Sequence, residues 1–247
     1  MENYNDKTIW IIGASTGIGK ALAQNLNAQG ADLILSARSE DGLKKLNDEL
    51  GGQHTVLPVD VSDNEALKKA TSSFKKLHSV VHLAAIYDPT SLNDLTHDTM
   101  SKIIDVNLKG TFNVIEATLP ILKKQGYGQL ALCGSVAGYR GLPNGQPYSA
   151  TKAAVINLAE SLRAEEQKNG LDIRLISPGF VETPMTAKND FDMPMAIKPE
   201  EAADAIAKGL LSNSYEIHFP KKFTFIMKFL QLLPAWLYFK IAHKMSR

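Results

Sequence analysis

Apolar runs of strand length alternate along the chain with longer stretches whose apolar residues recur at helical spacing. That is the pattern of repeated βαβ units wound into a parallel sheet. The runs Thr8–Ile12, Asp32–Ser36, Thr55–Val59, Ser79–Ala84, Gln129–Cys133, Asp172–Ile176 and Tyr215–Phe219 read as strands. Helices are expected over about Lys20–Gln29, closed by Gly30, and over Asn64–Phe74, Thr99–Leu122, Ser149–Lys168 and Glu200–Leu210. Gly110 lies inside the third of these and Pro120 near its end. No internal repeat, low-complexity linker or second domain breaks the alternation. The expectation is an α/β chain with one domain over residues 1–220 and a helical tail over residues 221–247.

Composition narrows this only a little. At 247 residues, 44% apolar and 21% charged, the chain can bury a sizeable core and reads as a soluble globular protein. Lys and Arg number 27 against 26 Asp and Glu, so a net charge of +1 provides no field to recruit nucleic acid. The lone Cys133 excludes an internal disulfide and reads as a small core residue in a reducing compartment. The polar start MENYNDK runs directly into a strand without a signal-peptide pattern, so a cytoplasmic address is expected.

The candidate chemistry begins with Gly13-Ala14-Ser15-Thr16-Gly17-Ile18-Gly19, set between a strand and a helix. Glycines there let the backbone turn tightly against a pyrophosphate, and the helix amino terminus offers free N–H groups and a positive dipole end. This context predicts a dinucleotide site in a Rossmann-type doubly wound sheet. The second strand ends Ser36-Ala37-Arg38-Ser39. A carboxylate here would accept from a ribose 2′-OH, whereas a guanidinium can fork onto a 2′-phosphate. NADP(H) is therefore expected over NAD(H), the alternative being that Arg38 is only a solvated loop charge.

Tyr148-Ser149-Ala150-Thr151-Lys152 places a phenol and an ammonium on one helix face. A free tyrosine titrates near pH ~10. An ammonium about 4 Å away contributes roughly 4 kcal/mol at an effective dielectric near 20, enough to lower that value by up to about three pH units. Ser135 follows the fifth strand, at the carboxyl edge where open α/β sheets place ligands. Its hydroxyl can hold a substrate oxygen beside the phenol.

Taken jointly, these stretches resemble the short-chain dehydrogenase/reductase family, in its single-domain branch, over about residues 7–219. Gly13, Gly17 and Gly19 match the glycines of its T-G-x-x-x-G-x-G pattern, with Ile12 where the family has Thr. The resemblance implies Ser135, Tyr148 and Lys152 as catalytic residues, with Asn107 holding a water that relays protons to Lys152. It implies cofactor contacts from Gly13, Ser15, Thr16, Gly17, Ile18 and Gly19, then from Arg38, with Asp60 and Val61 at the adenine. Ala84, Asn107, Tyr148 and Lys152 would follow near the ribose, with Pro178, Gly179, Val181 and Thr183 at the nicotinamide. It also implies a substrate loop between Pro184 and Pro199, here carrying Met185, Phe191, Met193, Met195 and Ile197, and a homodimer or homotetramer. One departure is His82-Leu83-Ala84-Ala85, where this branch reads N-N-A-G. His82 is read as structural, and the histidines show no metal-ligand spacing.

The tail differs in kind. After Glu216 there is no acidic residue, while Lys221, Lys222, Lys228, Lys240, Lys244 and Arg247 follow. Lys221, Thr224, Lys228 and Gln231 mark a polar side, and Phe223, Ile226, Phe229, Leu230 and Leu233 an apolar one. Pro234 opens a second piece bearing Trp236, Leu237, Phe239 and Ile241. A helix with a basic polar side opposite aromatics is expected to lie in a membrane interface, the alternatives being that it covers the pocket or packs between subunits. Lys228, Gln231 and Pro234 interrupt the apolar stretch, so a spanning helix is not expected. The functional expectation is reduction of a small apolar or lipid-like ketone or aldehyde. The alternatives are an NAD-dependent alcohol or steroid-type dehydrogenase, a non-catalytic dinucleotide-binding regulator and a membrane-docking adaptor.

Overall fold

A computed structural model describes residues 1–72, 74, 76–89 and 91–245. The strands are β1 (Thr8–Ile12), β2 (Asp32–Ser36), β3 (Thr55–Val56), β4 (Ser79–His82), β5 (Gly128–Cys133), β6 (Leu171–Pro178) and β7 (Glu216–Phe219). They form one all-parallel sheet in the order β3-β2-β1-β4-β5-β6-β7. The order reverses at β1, which pairs with β2 on one side and β4 on the other. That switch point opens the crevice in which doubly wound folds bind ligands.

The helices are α1 (Gly17–Ala28), α2 (Glu40–Glu49), α3 (Asn64–Thr71), α4 (His97–Ile104), α5 (Gly110–Gln125), α6 (Tyr148–Glu166), α7 (Pro199–Leu211), α8 (Lys221–Leu232) and α9 (Ala235–Met245). Alternation along the strands serves both faces of the sheet. Ile9 and Ile11 join Leu22, Leu26, Ile206 and Leu210 in one core, while Trp10 and Ile12 join Val114, Leu122, Val155 and Leu162 in the other. Each fully buried Leu, Ile or Val contributes roughly 1.5–3 kcal/mol, so both layers hold the sheet.

Besides shifts of a few residues at element ends, three departures from expectation stand out. The third strand stops at Val56 because Pro58 has no N–H to donate, although Leu57 and Val59 still donate to Leu35 and Ala37. The expected long third helix is two helices joined by a π-helical turn, Asp105–Lys109. Gly110 follows that turn, and a Cβ there would lie 2.7 Å from Val61 Cγ2. Helix α2 was not expected, yet Ser39 caps it by accepting from Gly42 N, with Glu40 and Asp41 in its first turn.

The tail forms two helices, and its faces are partly reversed. Thr224 is buried and Lys228 half-buried, whereas Ile226 and Phe229 are exposed. The reason lies in β7: the half-buried Glu216 takes Lys228 Nζ at 2.5 Å, and His218 Nδ1 meets Thr224 Oγ1 at 2.6 Å. Arg140 donates to the carbonyls of Gln231 and Leu233, both at 2.8 Å, closing the carboxyl end of α8. Its guanidinium also lies 4.2 Å from the Tyr238 ring centroid, and Tyr238 donates to the Gly141 carbonyl. No described helix is long and apolar enough to cross a membrane. Arg247 lies outside the described residues.

Candidate active site

A cavity of about 430 Å³ runs along the carboxyl edge of the sheet over the switch point. Its first wall is the turn between β1 and α1. Gly13 has φ +96°, and a Cβ on it would meet Ala84 N at 2.7 Å. A Cβ on Gly19 would lie 2.0 Å from Gly13 O. The turn is thus a backbone cradle that only glycine can line, the fit required for a pyrophosphate. Ser15, Thr16, Gly17 and Ile18 complete this wall.

Farther along, Arg38, Asp60 and Val61 line the cavity. Arg38 is exposed and makes no ion pair among the described residues. Asp60 Oδ1 accepts from Ser62 N at 2.9 Å and Ser62 Oγ at 2.7 Å, so part of its carboxylate closes the following turn. Ala84, Pro178, Gly179, Val181 and Thr183 also face the cavity. The last two are held in a compact turn, with Thr186 Oγ1 donating to Val181 O at 2.5 Å and accepting from Thr183 N at 3.0 Å.

The reactive end gathers Ser135, Tyr148 and Lys152 on the same cavity. Ser135 leaves β5 in an extended conformation; its hydroxyl accepts from Ala137 N at 3.1 Å and donates to Pro178 O at 3.4 Å. Tyr148 is the first residue of α6, and Lys152 lies one turn on. Lys152 is buried; its Nζ donates to Cys133 O at 2.8 Å and lies 5.5 Å from the Tyr148 ring centroid. Burial pushes the Lys152 ammonium down. Burial pushes the Tyr148 phenol up, with the Cys133 and Tyr87 charges adding to the rise and the Ser135 hydroxyl opposing it. This reverses the expected direction for the phenol. The ammonium makes its close bond to the Cys133 carbonyl, and burial is the largest influence on the phenol.

Asn107 sits in the π-helical turn and does not line the cavity. Its Oδ1 accepts from Ile86 N at 2.8 Å; its Nδ2 donates to Ile86 O at 2.9 Å and to Thr151 Oγ1 at 3.3 Å. The amide therefore grips the chain leaving β4. Single π-helical turns inside α-helices occur often at functional sites, and this one turns Asn107 toward that strand end.

His82 Nε2 lies 3.1 Å from Thr111 Oγ1, which donates to Asn107 O at 2.7 Å, while Nδ1 has no partner among the described residues. Burial, followed by the Lys152 charge, holds the imidazole down at about 3, so it is neutral at pH 7. Burial raises the Cys133 thiol, which removes any nucleophilic character at neutral pH. No group of three metal-ligating residues occurs among the described residues. Of the expected substrate-loop residues, Met185 lines the cavity, whereas Phe191 packs on Phe180 at 5.9 Å and Met195 is exposed. Ile86 and Tyr87 were not singled out by motif reasoning. Only their position just beyond a strand end could have marked them.

Comparison with known proteins adds to this geometry. The family model described as short chain dehydrogenase matches residues 7–193. An uncharacterized oxidoreductase of Staphylococcus epidermidis is 34% identical over 219 residues, spanning 87% of this chain and 95% of that protein. A solved short chain dehydrogenase from Burkholderia cenocepacia in complex with NADP is 24% identical, with a TM-score of 0.86 over 96% of this chain and 97% of that one. A short chain dehydrogenase/reductase from Burkholderia phymatum in complex with NAD is 21% identical, with a TM-score of 0.83 over 92% and 94% of the two chains.

Proposed function

Because the chain belongs to the short-chain dehydrogenase family, we propose that it is an NADPH-dependent reductase of apolar, lipid-like ketones or aldehydes. Membership makes it an oxidoreductase acting on CH–OH groups with a nicotinamide dinucleotide. The direction, the phosphate preference and the substrate class are the proposal. The observation that carries it is the half-buried Tyr148 on the same cavity as Ser135, Lys152 and the glycine cradle.

The cradle of Gly13–Gly19 would hold the pyrophosphate, Arg38 the 2′-phosphate, and Asp60 with Val61 the adenine. Ala84 and Lys152 would lie along the nicotinamide ribose, with Pro178, Gly179, Val181 and Thr183 at the carboxamide. When bound, the cofactor supplies the hydride. Tyr148 Oη gives its proton to the carbonyl oxygen as charge builds there, and the Ser135 hydroxyl donates to the same oxygen. The Lys152 ammonium stabilises the phenolate left behind. Asn107 serves as a positioning residue through Ile86. Burial favours the protonated phenol, the form a reductase requires, and the same groups run in reverse for oxidation.

The NADPH preference is supported by Ala37-Arg38-Ser39, where no carboxylate meets a 2′-phosphate and a free guanidinium does. The substrate class rests on the apolar side chains Ile86, Val106 and Met185 in the cavity lining. Peripheral attachment of a cytoplasmic protein through residues 221–247 belongs to the same reading. Phe225, Phe229, Leu232, Trp236 and Phe239 project outward beside Lys222, Lys240 and Lys244. A homodimer or homotetramer is proposed through the long helices α5 and α6, where Phe112 is exposed. Initial rates with NADPH and NADH across carbonyls from small aldehydes to long-chain ketones test the reading. NADPH oxidation rising with apolar chain length is expected; NADH preference or a flat response would overturn it.

A further inference from the structure

Beyond β4 the chain passes Ala84 and Ile86 along the cavity and reaches Tyr87. The Asn107 amide holds both backbone groups of Ile86, which fixes where the next residue points. The Tyr87 ring stands edge-on to the Tyr148 ring, with centroids 5.1 Å apart and planes at 70°. Its hydroxyl donates to Asn189 Oδ1 at 2.9 Å, and its carbonyl accepts from Lys188 Nζ at 3.3 Å. Lys188 and Asn189 belong to the loop that follows Thr183. The base of that loop is closed by the Val181–Ile197 bridge, with Glu182 N donating to Ile197 O at 2.9 Å and Ile197 N to Phe180 O at 3.1 Å. The middle of the loop is thus hydrogen-bonded to the segment leaving β4 at Tyr87, while Ile86, Pro184, Met185 and Thr186 beside these contacts line the cavity.

We propose that Tyr87 is a positioning and specificity-determining residue that latches the 184–196 loop over the substrate end of the cavity and braces the catalytic phenol. Its two functions use different atoms. The hydroxyl, through Asn189, holds the loop as a preformed wall for the carbonyl substrate. The ring edge limits how far the Tyr148 ring can swing. Loss of the hydroxyl therefore loosens substrate binding, and loss of the ring also misaligns the proton donor. The kinetic half rests on the reductase reading above; the latch itself does not.

A double-mutant cycle on Tyr87→Phe and Asn189→Ala tests it in the full chain. Each single variant is expected to raise KM for the carbonyl about five-fold, as loss of one hydrogen bond does. Each should leave kcat within about two-fold and NADPH affinity unchanged, and the double variant should be no worse than either single one. Tyr87→Ala should in addition lower kcat about ten-fold, as misplacement of a catalytic group does. Trypsin cleavage after Lys188 reads the latch without turnover, and both singles should be nicked several-fold faster than wild type. Additive effects in the cycle, or wild-type nicking in Tyr87→Phe, would overturn the latch. Faster nicking in a protein that reduces no carbonyl would instead leave the latch standing and remove the reductase reading.

Discussion

The glycine turn and the α8–α9 hairpin are built on opposite plans. The turn works by omission: it is concave, lined by backbone, and has no room for a Cβ at Gly13 or Gly19. The hairpin works by excess. It docks through Met227, Phe223 and Leu230 and through a polar set, Lys228 on Glu216, Thr224 on His218 and Arg140 on the α8 carbonyls, and leaves large aromatics facing outward. In the turn, shape and function are the same contacts, so any added atom damages both. In the hairpin, anchoring and outward display use different side chains, so each can be altered alone.

The largest expected effect comes from breaking the turn. Gly19→Ala puts a methyl against the Gly13 carbonyl, so it should destabilise the fold by about 3 kcal/mol or more and abolish NADPH binding. Thermal denaturation with and without NADPH reads both, and retained cofactor stabilisation would show that the cradle is not where the dinucleotide binds. Next is the display face. Phe229→Ser with Trp236→Ser removes two exposed aromatics and should leave Tm within about 2 °C, as surface changes do. Flotation with vesicles containing anionic lipid should fall at least about ten-fold, since each buried aromatic is worth more than 1 kcal/mol. Undiminished flotation would place attachment elsewhere.

The smallest effect probes the hairpin anchor by pH. Burial pushes the Glu216 carboxyl up, but hydrogen bonds from Lys228 and Tyr139 outweigh it, so its folded value lies below the usual range. A depressed carboxyl adds stability that is present above its unfolded value of roughly 4.3 and is lost as pH falls through the folded value. Glu216→Gln should therefore cost about 1 kcal/mol at pH 7, with the gap to wild type closing as pH falls below the unfolded carboxyl value. A gap that stays constant with pH would show that the ion pair contributes nothing specific.

Legibility followed sequence separation. The turn, the Tyr148–Lys152 pair and the alternation of strands and helices along the chain depend on spacing within one or two elements, and each could be read from periodicity and local chemistry. The position of Ser135 beside them followed from the rule for open sheets. What escaped needed contacts between distant segments. Nothing in the tail itself says that Thr224 and Lys228 turn inward, because Glu216 and His218 on β7 decide it. The rise of the Tyr148 phenol depends on burial, and Tyr87 gains its neighbours from two distant segments, Tyr148 on α6 and Lys188 and Asn189 in the 184–196 loop. Helix α2 is a different case, since Ser39, Glu40 and Asp41 form a readable start that periodicity alone overlooked.

In the proposed reduction the proton comes from Tyr148, and turnover of a long-chain ketone by wild type and Tyr148→Phe, with NADPH affinity measured for both, probes this step. Affinity should stay within about two-fold while kcat falls by about 10³ or more. Turnover within about ten-fold of wild type would contradict it.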